Sequence, residues 1–110
     1  MEITEEKADR CIILVISGRL DTTTYGLLEK KFLELIENSQ EQILVDCSAL
    51  DYVSSCGLRV LLMALKKITQ MKGKFVLCGL QRNIREIFEV SGFTNIFEVY
   101  SSRADALRVF

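Results

Sequence analysis

The stretch "DYVSSCGLRVL" sets two hydroxyls, a thiol and a glycine (Ser54, Ser55, Cys56 and Gly57) directly ahead of a helical apolar pattern. A serine oxygen at a helix start accepts a hydrogen bond from a backbone N–H in the first turn, and one such cap suffices. The second hydroxyl is left for another use: nucleophile, site of modification, or plain polar residue. A nucleophile needs an activating base, and the chain has no histidine. Ser-His-Asp and Cys-His machinery and histidine metal ligands are therefore excluded, while serine with lysine or a carboxylate site stays open. Neither GxGxxG nor GxxxxGK[ST] occurs, so phosphate-cradling loops of those types are missing. The inventory points away from an enzyme and names no catalytic residue, cofactor or metal.

Of the four cysteines, Cys11, Cys47 and Cys78 lie in "RCIILVIS", "ILVDCS" and "KFVLCG". In such apolar, strand-like runs a free thiol serves as a small hydrophobe. No CxxC spacing suggests a metal cage or a redox pair.

The positioning elements come from composition and periodicity. The length of 110 residues fits one domain, expected over 1–110, with a single core. A net charge of −1 gives no bulk attraction to nucleic acid, so no direct nucleic-acid partner is expected. No apolar run approaches the ~20 residues of a membrane span, so no membrane insertion is expected. The opening "MEITEEKADRC" is acidic where a signal peptide is basic, which points to the cytoplasm.

A first strand is expected within Glu2 to Lys7, then a tight hairpin at Ala8 and Asp9, then a stronger strand at 10–17 that "GRLDTTT" breaks. Thr22 or Thr23 caps a helix carrying Tyr25, Leu28, Phe32, Leu35 and Ile36 and ending near Asn38. "QILVD" (42–46) reads as a short strand covered on both faces. The next helix turns Leu58, Leu61, Leu62, Leu65 and Ile68 to one side, with Gly73 as its stop. A strand at 74–79, a helix through Ile84, Ile87 and Phe88 closed by Gly92, and a strand at 95–100 follow. Ser102 with Asp105 resembles a capping box opening a last helix through Ala106, Leu107 and Phe110. The order β-β-α-β-α-β-α-β-α predicts an α/β fold with a mixed, mainly parallel sheet of about five strands and about four helices. Sites in such sheets gather where strand ends meet helix starts, which selects "GRLDTTT" and "DYVSSCG".

Three segments, "SGRLDTTT", "ILVDCSALDYVSSCGLRVLL" and "GKFVLCGLQRNIREIFEVSGFTNIFEVYSSRADAL", resemble the STAS domain of bacterial anti-sigma factor antagonists in order and spacing across essentially the whole chain. The resemblance implies a binding protein of transcription regulation. Its unphosphorylated form binds an anti-sigma factor that is itself a serine kinase, and phosphorylation by that kinase ends binding. A phosphatase is a candidate second partner.

The family motif is similar to D-S-[SA]-G-L. Aligned on Gly57 and Leu58, it puts Ser55 at the acceptor position, Cys56 where a small residue belongs, and Ser54 where aspartate is common. The same resemblance makes Asp21 and Thr22 partner-binding candidates beside Ser54, Ser55, Cys56 and Gly57. Position adds Arg59, one turn into the helix and able to pair with an acidic partner or a phosphate on Ser55, and puts Asp46, at the end of its apolar run, at the edge of the site. Each has a plainer role beside this one. Ser54 is a helix cap, Gly57 permits close packing, Asp21 and Asp46 accept backbone hydrogen bonds, and Arg59 is a solvated cation. STAS domains also serve as unmodified scaffolds in signalling complexes and as cytoplasmic subunits of lipid transporters, which is the alternative function.

Overall fold

A computed structural model describes all of residues 1–110. Its elements run β1 (Glu2–Lys7), β2 (Ile12–Leu20), α1 (Tyr25–Glu37), β3 (Gln42–Val53), α2 (Ser55–Gln70), β4 (Lys74–Cys78), α3 (Arg82–Val90), a 3-10 turn (Phe93–Asn95), β5 (Glu98–Tyr100) and α4 (Arg103–Leu107). The strands form one sheet in the order β1-β2-β3-β4-β5. Only the β1–β2 hairpin is antiparallel; the other three pairings are parallel. The expected α/β class, strand number and helix number are all found.

Strand alternation splits the apolar residues between two faces. Leu14, Ile43, Val45 and Leu77 join Leu28 and Phe32 of α1, Leu61 and Ile68 of α2, and Ile84 and Phe88 of α3 in the larger cluster. Cys11, Ile13, Leu44, Val76 and Cys78 meet Ala106 of α4 on the other face. The three long helices thus cover one side of the sheet and α4 the other. Cys11, Cys47 and Cys78 are free and buried, as their strand contexts predict. Burial pushes the Cys78 thiol up to about 11 and raises that of Cys47 further. Both stay protonated and inert. No helix is long and apolar enough to cross a membrane.

Several boundaries differ from the expected ones. β2 continues past Ser17 to Leu20, and β3 reaches Val53 instead of stopping at Asp46. Register shifts between Val15 and Ser17, and again between Gly18 and Arg19, let Gly18–Leu20 pair with Leu50–Val53. β5 is cut to three residues because the 3-10 turn occupies Phe93–Asn95. Gly92, left-handed at φ 76°, closes α3 as expected. Past α2 the left-handed residue is Lys72 (φ 62°), and Gly73 serves a close approach instead. A Cβ at Gly73 would stand 2.1 Å from the Glu41 carbonyl oxygen, which accepts from the Lys74 N–H at the head of β4.

Asp46 neither ends its strand nor reaches the turn before α2. It lies on the α4 face beside Leu44, 7% exposed. Its Oδ1 accepts from the Ser48 N–H (3.0 Å) and hydroxyl (2.8 Å), and its Oδ2 accepts from Nε and Nη2 of Arg103 (3.1 and 2.9 Å). Arg103 also pairs with Glu6, so one guanidinium ties α4 to β3 and β1. Burial pushes the Asp46 carboxyl up, but these bonds together outweigh it and hold the group below the usual carboxylate range. A lowered folded pKa adds stability that is complete above the unfolded value of about 3.9. That stability drains as pH falls through the lower folded value. Acid titration of unfolding is therefore expected to show a shallower acid limb in Asp46→Asn than in the parent. Superimposable limbs would remove Asp46 as its source.

Candidate functional site

Two turns meet at the C-terminal end of the sheet. In the first, Asp21 organises the passage from β2 to α1. Its Oδ1 accepts from the Thr23 N–H (2.9 Å), the Thr23 hydroxyl (2.7 Å) and, more distantly, the Thr24 hydroxyl (3.3 Å). Its carbonyl takes the N–H groups of Thr24 and Tyr25. These bonds, led by the Thr23 hydroxyl, keep the Asp21 carboxyl below its ordinary range. The residue at the helix boundary is Thr24, not the expected Thr22 or Thr23. Its hydroxyl accepts from the Asp21 N–H and donates to the Arg19 carbonyl (2.7 Å), so it serves the turn rather than the helix. Thr22 is exposed at the turn's tip.

In the second turn the two serines divide the work. Ser54 caps α2: its Oγ accepts from the Gly57 N–H at 3.2 Å. Ser55 is the first helical residue and is exposed, leaving its hydroxyl to the solvent. Cys56 is half-buried and Arg59 exposed one turn on. The N–H groups of Ser55 and Cys56 lie in the first turn, where no carbonyl of the helix can accept from them. With the positive end of the helix dipole, they suit an anion on the Ser55 oxygen.

One hydrogen bond joins the turns, from the Ser54 N–H to the Leu20 carbonyl at 2.8 Å. Buried Gly57 makes the approach feasible, since a Cβ there would stand 2.6 Å from Leu20 Cγ and 2.9 Å from Val53 Cγ2. Asp21 and Thr22, which follow Leu20 directly, are thus held in the turn beside Ser54 and Ser55. Gly57→Ala overpacks this contact and is expected to cost about 1–3 kcal/mol in urea unfolding. Gly26→Ala, on open surface of α1, is the control and is expected to gain up to about 1 kcal/mol. Equal midpoints for parent and Gly57→Ala would show that the junction tolerates a methyl group.

The frame of this site is built from residues with no local motif. Arg19 stacks on the Tyr52 ring, 4.2 Å from its centroid, and pairs with Asp21 at 3.5 Å. The two are register partners across β2 and β3, in the stretch where the strands run longer than expected. Gln81 Nε2 donates to the Ser48 carbonyl and Asn83 Nδ2 to that of Asp51, fastening the start of α3 to the same end of β3. The amide-rich "LQRN" was the available signal, but its target shows only in three dimensions. No group of three or more metal-ligating side chains is assembled anywhere.

These features define a single α/β domain with an exposed hydroxyl at a helix start where two turns meet. The chain belongs to the STAS domain family, whose model matches residues 2–106. It is similar to BtrV of Bordetella bronchiseptica, at 36% identity over 110 residues covering 100% of this chain and 95% of BtrV. The anti-sigma-B factor antagonist of Listeria monocytogenes is 30% identical over 100 residues, covering 90% of this chain and 86% of that protein. Among solved structures, the antagonist SpoIIAA shares the fold. Its unphosphorylated form has a TM-score of 0.84 at 19% identity, covering 98% of this chain and 96% of that one. Its phosphorylated form, from Bacillus, has a TM-score of 0.78 at 18% identity, covering 99% and 100%.

Proposed function

We propose that this protein is an anti-sigma factor antagonist that works by binding, with Ser55 as its switch. Unphosphorylated, it holds an anti-sigma factor through the paired turns, with Asp21, Thr22, Ser54, Cys56, Gly57 and Arg59 around Ser55. That anti-sigma factor is a serine kinase, its phosphate transfer to Ser55 ends the complex, and a phosphatase restores the hydroxyl. The protein itself contributes no catalytic group and acts in the cytoplasm.

The observation that carries this reading is the division between the serines. Ser54 is committed to the cap and Ser55 stands exposed beside unpaired N–H groups. The names of the relatives support the antagonist part of the reading. Where the family motif has aspartate this chain has Ser54, and the serine oxygen performs the capping. Incubation with an anti-sigma factor kinase and ATP is expected to add the mass of one phosphate to the intact protein, and Ser55→Ala to abolish it. Modification persisting in Ser55→Ala would move the acceptor to Ser54 or elsewhere and defeat the assignment.

A further inference from the structure

Beyond Arg59, which lies at the edge of that switch surface, the solvent-facing side of α2 has no part in the switch. α2 contains no aspartate or glutamate, yet carries Arg59, Lys66 and Lys67. None of these three cations belongs to an ion pair, and with no carboxylate on the helix they stand together as an uncompensated positive stripe. Residues 59, 62, 63, 66, 67 and 70 recur at three- and four-residue steps, which places them along one stripe. Between the cations, half-buried Leu62 and Met63 floor a shallow groove of about 300 Å³. The chain's net charge is −1, so the compensating acid sits elsewhere, on β1 (Glu2, Glu5, Glu6) and α1 (Glu29, Glu34, Glu37).

We propose that this stripe is a docking strip for an acidic, amphipathic helical segment of a partner protein. The cations would meet its carboxylates, and Leu62 and Met63 would take apolar side chains between them. Arg59 to Gln70 spans roughly 16 Å, enough for three turns of a partner helix. Unpaired cations flanking an apolar floor favour a ligand that offers both charges and hydrocarbon at helical spacing. Glutamates on α1, packed beside α2, oppose a flat anionic membrane, and the strip has no aromatic residue on which a nucleobase could stack. Binding through Leu62, Met63, Lys66 and Lys67 does not depend on the Ser55 switch, Arg59 alone being common to both surfaces.

Fluorescence anisotropy with the full chain and a labelled helical peptide, bearing leucine and glutamate on one face, tests the strip. The expected result is saturable binding that weakens at least about tenfold in Lys66→Glu/Lys67→Glu, a change of about 1.4 kcal/mol. Binding should also weaken as salt rises from roughly 0.05 to 0.3 M, and vanish for a peptide with lysine in place of glutamate. Circular dichroism of the double variant should match the parent. Equal binding by parent and double variant, or by both peptides, would overturn the proposal. So would capture of phosphatidylserine vesicles without capture of the peptide. Phosphate addition to Ser55, read by mass, can fail without moving the anisotropy result, and the reverse holds too.

Discussion

A phosphate on Ser55 is expected to weaken the complex with the anti-sigma factor by about a hundredfold or more while leaving the fold in place. The modification brings roughly 1.5 to 2 negative charges to the proposed contact around a neutral hydroxyl. A like-charge or desolvated mismatch of that kind costs several kcal/mol, and each 1.4 kcal/mol is tenfold in affinity. Within the free protein the balance is different. Ser55 is exposed, the N–H groups of Ser55 and Cys56 are available to a phosphate oxygen, and no carboxylate lies in the first turn of α2. The unfolding midpoint is therefore expected to move by less than about 4 °C. Titration calorimetry with modified and unmodified protein, paired with a thermal melt of each, measures both effects. An unchanged affinity would remove the switch even with phosphate present. A collapsed melting point would mean that binding is lost through unfolding.

The largest single loss of stability is expected at Phe88. Its ring is fully buried, edge-on to Phe93 (centroids 6.0 Å, 83°) and tilted against Phe97 (5.6 Å, 53°). Phe97 in turn lies 6.4 Å from Phe75 of β4, so Phe88 joins α3 to the sheet through an aromatic chain. Phe88→Ala removes the contacts of a whole ring and leaves a cavity that rigid neighbours fill only in part, costing about 3–5 kcal/mol. Set against a usual total of about 5–15 kcal/mol, the variant is left marginal. Val90→Ala, two residues along but 90% exposed, should stay within about 0.5 kcal/mol. Urea denaturation of both separates burial from helix propensity. A Phe88→Ala loss below about 1 kcal/mol would show that α3 contributes little to the core.

What could be read from the residues follows where the governing physics is local. Ser54 three residues before Gly57 is a cap spacing, and the structure places the predicted hydrogen bond there. Ser102 and Asp105 behave alike, and Gly92 takes the left-handed conformation its place after a helix requires. Failures occur where the decision is made by distant partners. The apolar run of β3 ends at Asp46, but the strand goes on because Gly18–Leu20 re-registers against it, and no local pattern records that. Three successive threonines are chemically equal as caps. Thr24 sits at the boundary because the Arg19 carbonyl and Asp21 N–H are within its reach. Asp46 reads as a site-edge carboxylate until Arg103, brought over by α4, claims it. Within the candidate site, the hydroxyls and the glycine were legible. The Arg19–Tyr52 stack was not, since it depends on cross-strand register.

The two rims of the sheet bear on how the molecule can meet others. β1 forms one rim and displays Glu2, Glu5 and Glu6, all exposed, while β5, at the other rim, is three residues long. Carboxylates repel an incoming backbone ribbon, and a three-residue strand gives it little to zip onto. Growth of the sheet from molecule to molecule is thereby discouraged in both directions. Association is left to surfaces made of turns and helix.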